Sequence, residues 1–129
     1  MQITPFLMFE GQAEAAMTLY VSIFPRSRVV AIERHDEAGP GKAGSVKHAR
    51  FEVGGLSLAC IDSPGHHAFT FTPSTSLFVD CDSREQLEEA FAKLSDGGTI
   101  LMPPGAYGFS QWFAWVQDRF GLSWQLNLP

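Results

Sequence analysis

His48 and Arg50 stand two positions apart in the run Val46–Val53, where alternation puts Ala49, Phe51 and Val53 on one face and His48, Arg50 and Glu52 on the other. An imidazole and a guanidinium on one strand face could hold an anionic substrate, with the histidine as acid or base. A second group lies in residues 111–117, where Phe113 and Trp115 share a face with Gln111 and Gln117. Aromatic rings mixed with amides suit an organic ligand in a mostly apolar cleft. Other reactive types read more plainly. His66 and His67 are adjacent in a segment rich in Pro and Gly, and neighbours in sequence rarely turn to one metal, so they read as exposed loop histidines. Glu10, Asp62 and Asp80 sit near strand ends, where carboxylates serve turns and caps. Cys60 and Cys81 lie in strand-like runs without a CxxC pair, which removes zinc-knuckle and thioredoxin-type chemistry and favours buried free thiols. Nucleophile-elbow and P-loop spacings are absent, and no Ser-His-Asp set is singled out.

The elements that must position these groups follow from periodicity. Residues 3–9 form a hydrophobic strand-like run with Pro5 inside it, as an early or edge strand allows. Ala13, Ala16, Met17, Tyr20 and Phe24 recur at helical spacing over residues 12–24, and Pro25 stops the helix. A strand over 29–34 and a polar Gly/Pro loop over 36–44 follow. Strand 46–53 turns back through Gly54-Gly55 into strand 56–61. Residues 62–74 read as a linker. The pattern then restarts with strand 77–81 and a second helix, capped by Ser83 with Gln86 three residues on, whose buried stripe is Leu87, Ala90, Phe91 and Leu94. A short strand over 99–102 leads to a loop opened by Pro103-Pro104-Gly105. The chain closes on a hairpin turning at residues 118–121, with Trp124, Leu126 and Leu128 on one face of its last strand and Ser123, Gln125 and Asn127 on the other.

Composition narrows the functions. With 129 residues, nearly half of them hydrophobic, the chain is the size of one domain or two small modules with a real core. A net charge of −5 with dispersed basic residues argues against a nucleic-acid partner and against anionic lipid. No apolar run reaches the roughly 20 residues that span a bilayer, and no basic flank precedes an apolar signal core, so a cytoplasmic protein is expected.

The order strand-helix-strand-strand-strand, repeated in this length, resembles the vicinal oxygen chelate superfamily of glyoxalase I, extradiol dioxygenases and fosfomycin-resistance proteins. The opening Ile3-Thr4-Pro5-Phe6-Leu7-Met8-Phe9, the helix from Ala13-Glu14-Ala15-Ala16 to Tyr20, the loop Ala38-Gly39-Pro40-Gly41 and the ending Trp115-Val116-Gln117-Asp118-Arg119-Phe120-Gly121-Leu122-Ser123-Trp124-Gln125 are similar to its PhnB-like branch, labelled 3-demethylubiquinone-9 3-methyltransferase domain. The resemblance implies an α+β fold: two βαβββ modules, about 1–62 and 75–129 with a linker at 63–74, forming a curved mixed sheet with a cleft. It also implies a homodimer.

The superfamily's chemistry is a divalent metal held by His, Glu or Gln from both modules and acting as a Lewis acid. Metal-binding relatives place a Glu four residues after the glycine of the last turn, and here that position is Gln125. The other ligand positions fall near Thr4 or Pro5, Leu58 or Cys60, and Ser76, none of them a carboxylate or imidazole. The expected cofactor is therefore none, and the alternative is a divalent metal held by Gln125 with other ligands such as His48. The methyltransferase label implies S-adenosylmethionine, whose usual domain has a Gly-rich turn between strand and helix; Gly39-Pro40-Gly41 lies between two strands instead. The resulting expectation is a small-molecule binding protein, or an enzyme of this superfamily, whose cleft is lined by His48, Arg50, Gln111, Trp115 and Gln125. A metal-dependent lyase, isomerase or transferase is the runner-up, and the labelled 3-demethylubiquinone-9 3-methyltransferase comes third.

Overall fold

Residues 1–129 are all described by a computed structural model. The elements run β1 (Phe6–Phe9), α1 (Ala13–Ile23), β2 (Arg28–Arg34), β3 (Val46–Val53), β4 (Leu56–Asp62), β5 (Ser76–Asp80), α2 (Arg84–Ser95), β6 (Thr99–Gly105), β7 (Trp112–Gln117) and β8 (Ser123–Leu128). They divide into two compact units, Met1–Ala68 and Phe69–Pro129. The expected α+β architecture is realised as one four-stranded mixed sheet and one helix in each unit. In the first unit the strand order is β1-β4-β3-β2; in the second it is β5-β8-β7-β6. The first strand of each unit pairs parallel with the last, and the other pairings are antiparallel.

One helix can cover only one face of a sheet. In the first unit, α1 buries Ala13, Ala16, Met17 and Tyr20, the stripe its spacing predicts. Leu7, Phe9, Ala49, Phe51, Leu58 and Cys60, on the alternate strand positions, complete that core. In the second unit, α2 buries Leu87, Ala90 and Leu94 with Ala114, Val116, Trp124 and Leu126. Phe91 of the expected stripe is only half-buried, at its margin. In both units the opposite sheet face carries no helix, and of the candidate ligand-binding side chains His48, Arg50, Trp115 and Gln125 stand on those faces.

Local sequence explains most boundaries. Gly54 and Gly55 take φ of 57° and 87°, the left-handed pair that a two-residue hairpin needs. Ser83 Oγ accepts the Gln86 backbone N–H at 3.0 Å, while Gln86 Oε1 reaches back to the backbone N–H of Asp82 at 2.7 Å. Several boundaries shift by one residue from the sequence reading, as at β5, which spans Ser76–Asp80 and leaves Cys81 outside it, and three differences have a local cause. β1 starts at Phe6, because Pro5 has no N–H to give a ladder and contributes only its carbonyl, to the Ala59 N–H at 3.0 Å. Asp62 belongs to β4 rather than to the linker. β6 continues through Pro103-Pro104 to Gly105, which an edge strand with shifted register permits. Neither helix is long and apolar enough to cross a membrane.

Candidate functional site

β3 sets the polar face of the first sheet. Helix α1 claims Ala49, Phe51 and Val53, so His48, Arg50 and Glu52 emerge on the helix-free side. The His48 ring lies 6.3 Å from the ring of Phe6, itself 56% exposed. Arg50 is exposed, and its cross-strand neighbours are both alanines, Ala31 on β2 and Ala59 on β4. A hollow of about 90 Å³ beside it is lined by Thr4, Val30, Glu52 and Ser57.

The helix-free face of the second sheet is more elaborate. Registers place Phe78 of β5, Gln125 of β8, Trp115 of β7 and Met102 of β6 in one row across all four strands. The neighbouring row holds Ser76, Ser123, Gln117 and Thr99. Trp115 Nε1 donates to Ser123 Oγ at 2.8 Å, the two serine hydroxyls lie 2.6 Å apart, and Gln125 Nε2 donates to Ser76 Oγ at 3.2 Å.

The direction of the serine-serine bond follows from burial. Ser123 is fully buried, so its proton has no acceptor other than Ser76 Oγ. Ser76 then accepts twice and keeps its own proton unspent, and Gln125 keeps its Oε1. The face thus presents a hydroxyl donor beside an amide acceptor, next to the half-buried indole of Trp115. Phe113 closes one end under Phe109, 4.8 Å away edge-to-face, and Tyr107, at 6.3 Å. Phe78 stays 58% exposed in front of them.

The three tryptophans separate cleanly. Trp124 is buried against α2 and donates to Asp118 Oδ2 at 2.9 Å, and the ring of Trp112 is covered by the Arg84 guanidinium at 3.5 Å from its centroid. Only Trp115 belongs to the helix-free face. Gln111 precedes β7, is exposed, and ties the chain end by donating from Nε2 to the Pro129 carbonyl at 2.7 Å. Of the residues named from sequence, Trp115 and Gln125 stand in this row, and Phe78, Tyr107 and Phe109 beside them were not named. Tyr107 and Phe109 lie after two prolines, where no period marks them. Phe78 was read only as strand; its facing depends on the parallel register with β8.

The resemblance implies two groups, a divalent cation and S-adenosylmethionine. Nowhere do three His, Cys, Asp or Glu side chains gather as metal ligands. Leu58 and Cys60 point into the α1 core, and burial pushes the Cys60 thiol up to about 12, far from a thiolate. Gln125 and Ser76 are neutral donors engaged with one another. This set does not fit a divalent cation, which needs several charged or imidazole ligands converging. The loop of Gly39 and Gly41 joins β2 to β3, and a Cβ on Gly41 would come within 2.5 Å of the buried His35 ring. That glycine serves close packing, and S-adenosylmethionine in the doubly wound manner does not fit here.

The paired histidines each have a partner. His66 Nδ1 lies 2.8 Å from Glu10 Oε1, and His67 Nε2 lies 2.9 Å from Ser63 Oγ. The bond from His66 is the main cause holding the Glu10 carboxyl below its usual value. They stand by a wide hollow of about 480 Å³ bordered by Glu10, Lys42, Asp62 and Ser63.

Comparison with known proteins adds the following. The family model described as 3-demethylubiquinone-9 3-methyltransferase matches residues 1–127. A PhnB protein from Bacillus cereus is 52% identical with a TM-score of 0.97, and each chain covers 100% of the other. A Pseudomonas aeruginosa protein, PA1353, is 29% identical with a TM-score of 0.81, over 99% of this chain and 97% of that one. A glyoxylase/bleomycin resistance protein/dioxygenase domain from Frankia sp. shares the fold at 16% identity and a TM-score of 0.66, over 99% and 96% of the two chains. No curated protein matches.

Proposed function

Because the chain belongs to the family described as 3-demethylubiquinone-9 3-methyltransferase, within the vicinal oxygen chelate superfamily, we propose that it binds a small planar organic molecule on the helix-free face of the second unit's sheet. The observation that carries this reading is the row Phe78–Gln125–Trp115, where exposed aromatic surface adjoins a Ser76 hydroxyl donor and a Gln125 acceptor. A ring bearing an acceptor next to a donor satisfies both groups while covering the aromatics. Of the expected lining residues, Trp115 and Gln125 contact the ring and its polar edge, while His48 and Arg50 stand on the helix-free face of the first unit's own sheet. Gln111 is bound to the chain end, which supports a positioning part for it.

Metal-assisted chemistry is left out of this reading because Gln125 and Ser76 are neutral and engaged with one another, and methyl transfer because the loop of Gly39 and Gly41 joins two strands. The proposal includes a homodimer, supported by the superfamily's habit, and a cytoplasmic setting, supported by two buried free thiols. Sedimentation velocity tests the first.

The ligand reading is tested by titrating 15N-labelled protein with salicylamide, a neutral ring with hydroxyl beside carbonyl. Shifts are expected at the Trp115 indole and Gln125 amide, and Gln125→Ala should weaken binding about tenfold. Saturable binding that leaves both signals in place, or no binding, overturns it.

A further inference from the structure

We infer that the ligand is an organic cation, and that Asp80 and Asn127 receive its ammonium group against the rings of Phe78 and Phe113. This deepens the ligand reading above and rests on it, and every residue involved belongs to the second unit. The registers place Asp80 of β5, Asn127 of β8 and Phe113 of β7 in one row on the helix-free face, two residues along from the row of Phe78, Gln125 and Trp115. Asn127 Nδ2 donates to Asp80 Oδ1 at 2.9 Å. A carboxylate only accepts, so the amide nitrogen must face it, and the Asn127 carbonyl is left over. Asp80 does not cap α2, which Ser83 does, and it makes no ion pair, so its second oxygen is also unspent. Two acceptors, one of them charged, thus stand side by side where the sequence suggested only a turn or cap carboxylate.

The surroundings favour a cation. The rings of Phe78 and Phe113 lie 6.4 Å apart, and Phe109 and Tyr107 extend the aromatic wall beyond Phe113. Ring faces attract an ammonium group within about 6 Å of their centroids. The basic residues of the second unit are Arg84 and Lys93 on α2 and Arg119 beside Gly97, just past the end of α2. All three lie away from this face, so nothing within the unit neutralises Asp80. The length fits as well. Four residues of β5 separate Ser76 from Asp80, about 13 Å at roughly 3.3 Å per residue. One aromatic ring with a two-carbon arm, hydrogen-bonded at both ends, spans that distance from the Ser76 hydroxyl to the Asp80 carboxylate.

The test titrates 15N-labelled protein with two salicylamides substituted para to the hydroxyl, one with a dimethylaminoethyl arm and one with the isosteric, uncharged isopentyl arm. The cationic compound should bind about tenfold or more tightly, shift the Asn127 side-chain amide, and lose part of its advantage as salt rises from about 50 to about 500 mM. Asp80→Asn should bring the two compounds within about twofold of one another. Glu89→Gln, which removes one charge from the exposed side of α2, should keep the advantage. Both positions are exposed, so both variants should melt with the wild type. Equal binding of the two compounds by the wild type, an advantage that survives Asp80→Asn, or one lost equally in Glu89→Gln overturns the cation subsite while the ligand reading stands. Failure of both compounds and of salicylamide itself to bind overturns both.

Discussion

Asp62, the last residue of β4, caps α1 from 49 residues away: its Oδ1 accepts the Ala13 backbone N–H at 2.9 Å. The same oxygen accepts the Gly11 N–H at 2.9 Å, and Oδ2 accepts that of Val46 at 2.9 Å. Gln12, at the cap position itself, makes no side-chain capping bond. A single buried carboxylate therefore joins the start of α1, the end of β4 and the start of β3. Asp62→Ala would strand these donors, and a loss of about 3–5 kcal/mol in urea unfolding is expected. Asp62→Asn should cost less, since one oxygen remains. A loss below about 1 kcal/mol for the alanine variant would remove Asp62 from this role.

The thiols should be silent in the native state. Burial first, then the Asp62 charge, pushes Cys60 up to about 12, and burial pushes Cys81 up to about 11. At pH 8 iodoacetamide should label the native protein at least about a hundredfold more slowly than the urea-unfolded chain. Rapid labelling of either cysteine in the native protein would contradict its burial.

Arg34 grips Glu14 of α1 with two bonds of 2.8 Å. That pair holds the Glu14 carboxyl below its usual value of 4.5. A depressed folded-state value means that the stabilisation is present above pH 4.5 and is lost as pH falls through the lower value. The wild type should therefore exceed Glu14→Gln in urea midpoint at pH 7, and the gap should close as pH drops below 4.5. Because both side chains are about half exposed, the gap should also shrink in salt. A gap constant with pH would point to packing rather than charge.

Gly98 is pressed against the end of β7: an added Cβ would sit 2.3 Å from the Gln117 carbonyl oxygen. Gly98→Ala should cost about 2–4 kcal/mol in unfolding free energy. Gly65, with nothing within 4 Å of its Cβ position, provides the control, and Gly65→Ala should be neutral. Equal costs at the two positions would refute the close approach.

Local patterns were the legible part of the fold. The spacing of Ala13, Ala16, Met17 and Tyr20 marks the buried face of α1, the Ser83–Gln86 pair marks the start of α2, and alternation in β3 marks which side His48 and Arg50 occupy. The illegible part lies in long-range pairing. Ser76 and Ser123 meet across 47 residues because β5 runs parallel to β8, and nothing near either serine announces it. Asp62 looked like an ordinary strand-end carboxylate for the same reason. The prolines hid β6, since a residue without an N–H argues against a strand unless that strand is known to lie at an edge. Hiding β6 also hid Tyr107 and Phe109, whose packing on Phe113 depends on where that strand ends.

The parallel closure of each unit also sets an order of events during synthesis. β1 has β4 as its only partner, and β5 has only β8. A nascent chain emerging from the ribosome can zip the antiparallel hairpins β3–β4 and β6–β7 early, but each leading strand must wait for its unit's last strand to appear. For the second unit that wait lasts until Leu128, during which the apolar Leu77 and Val79 have no ladder to join. A chain cut before its last strand would keep one unit able to complete its sheet and leave the other open at both edges of its β6–β7 hairpin, a substrate for chaperone or protease.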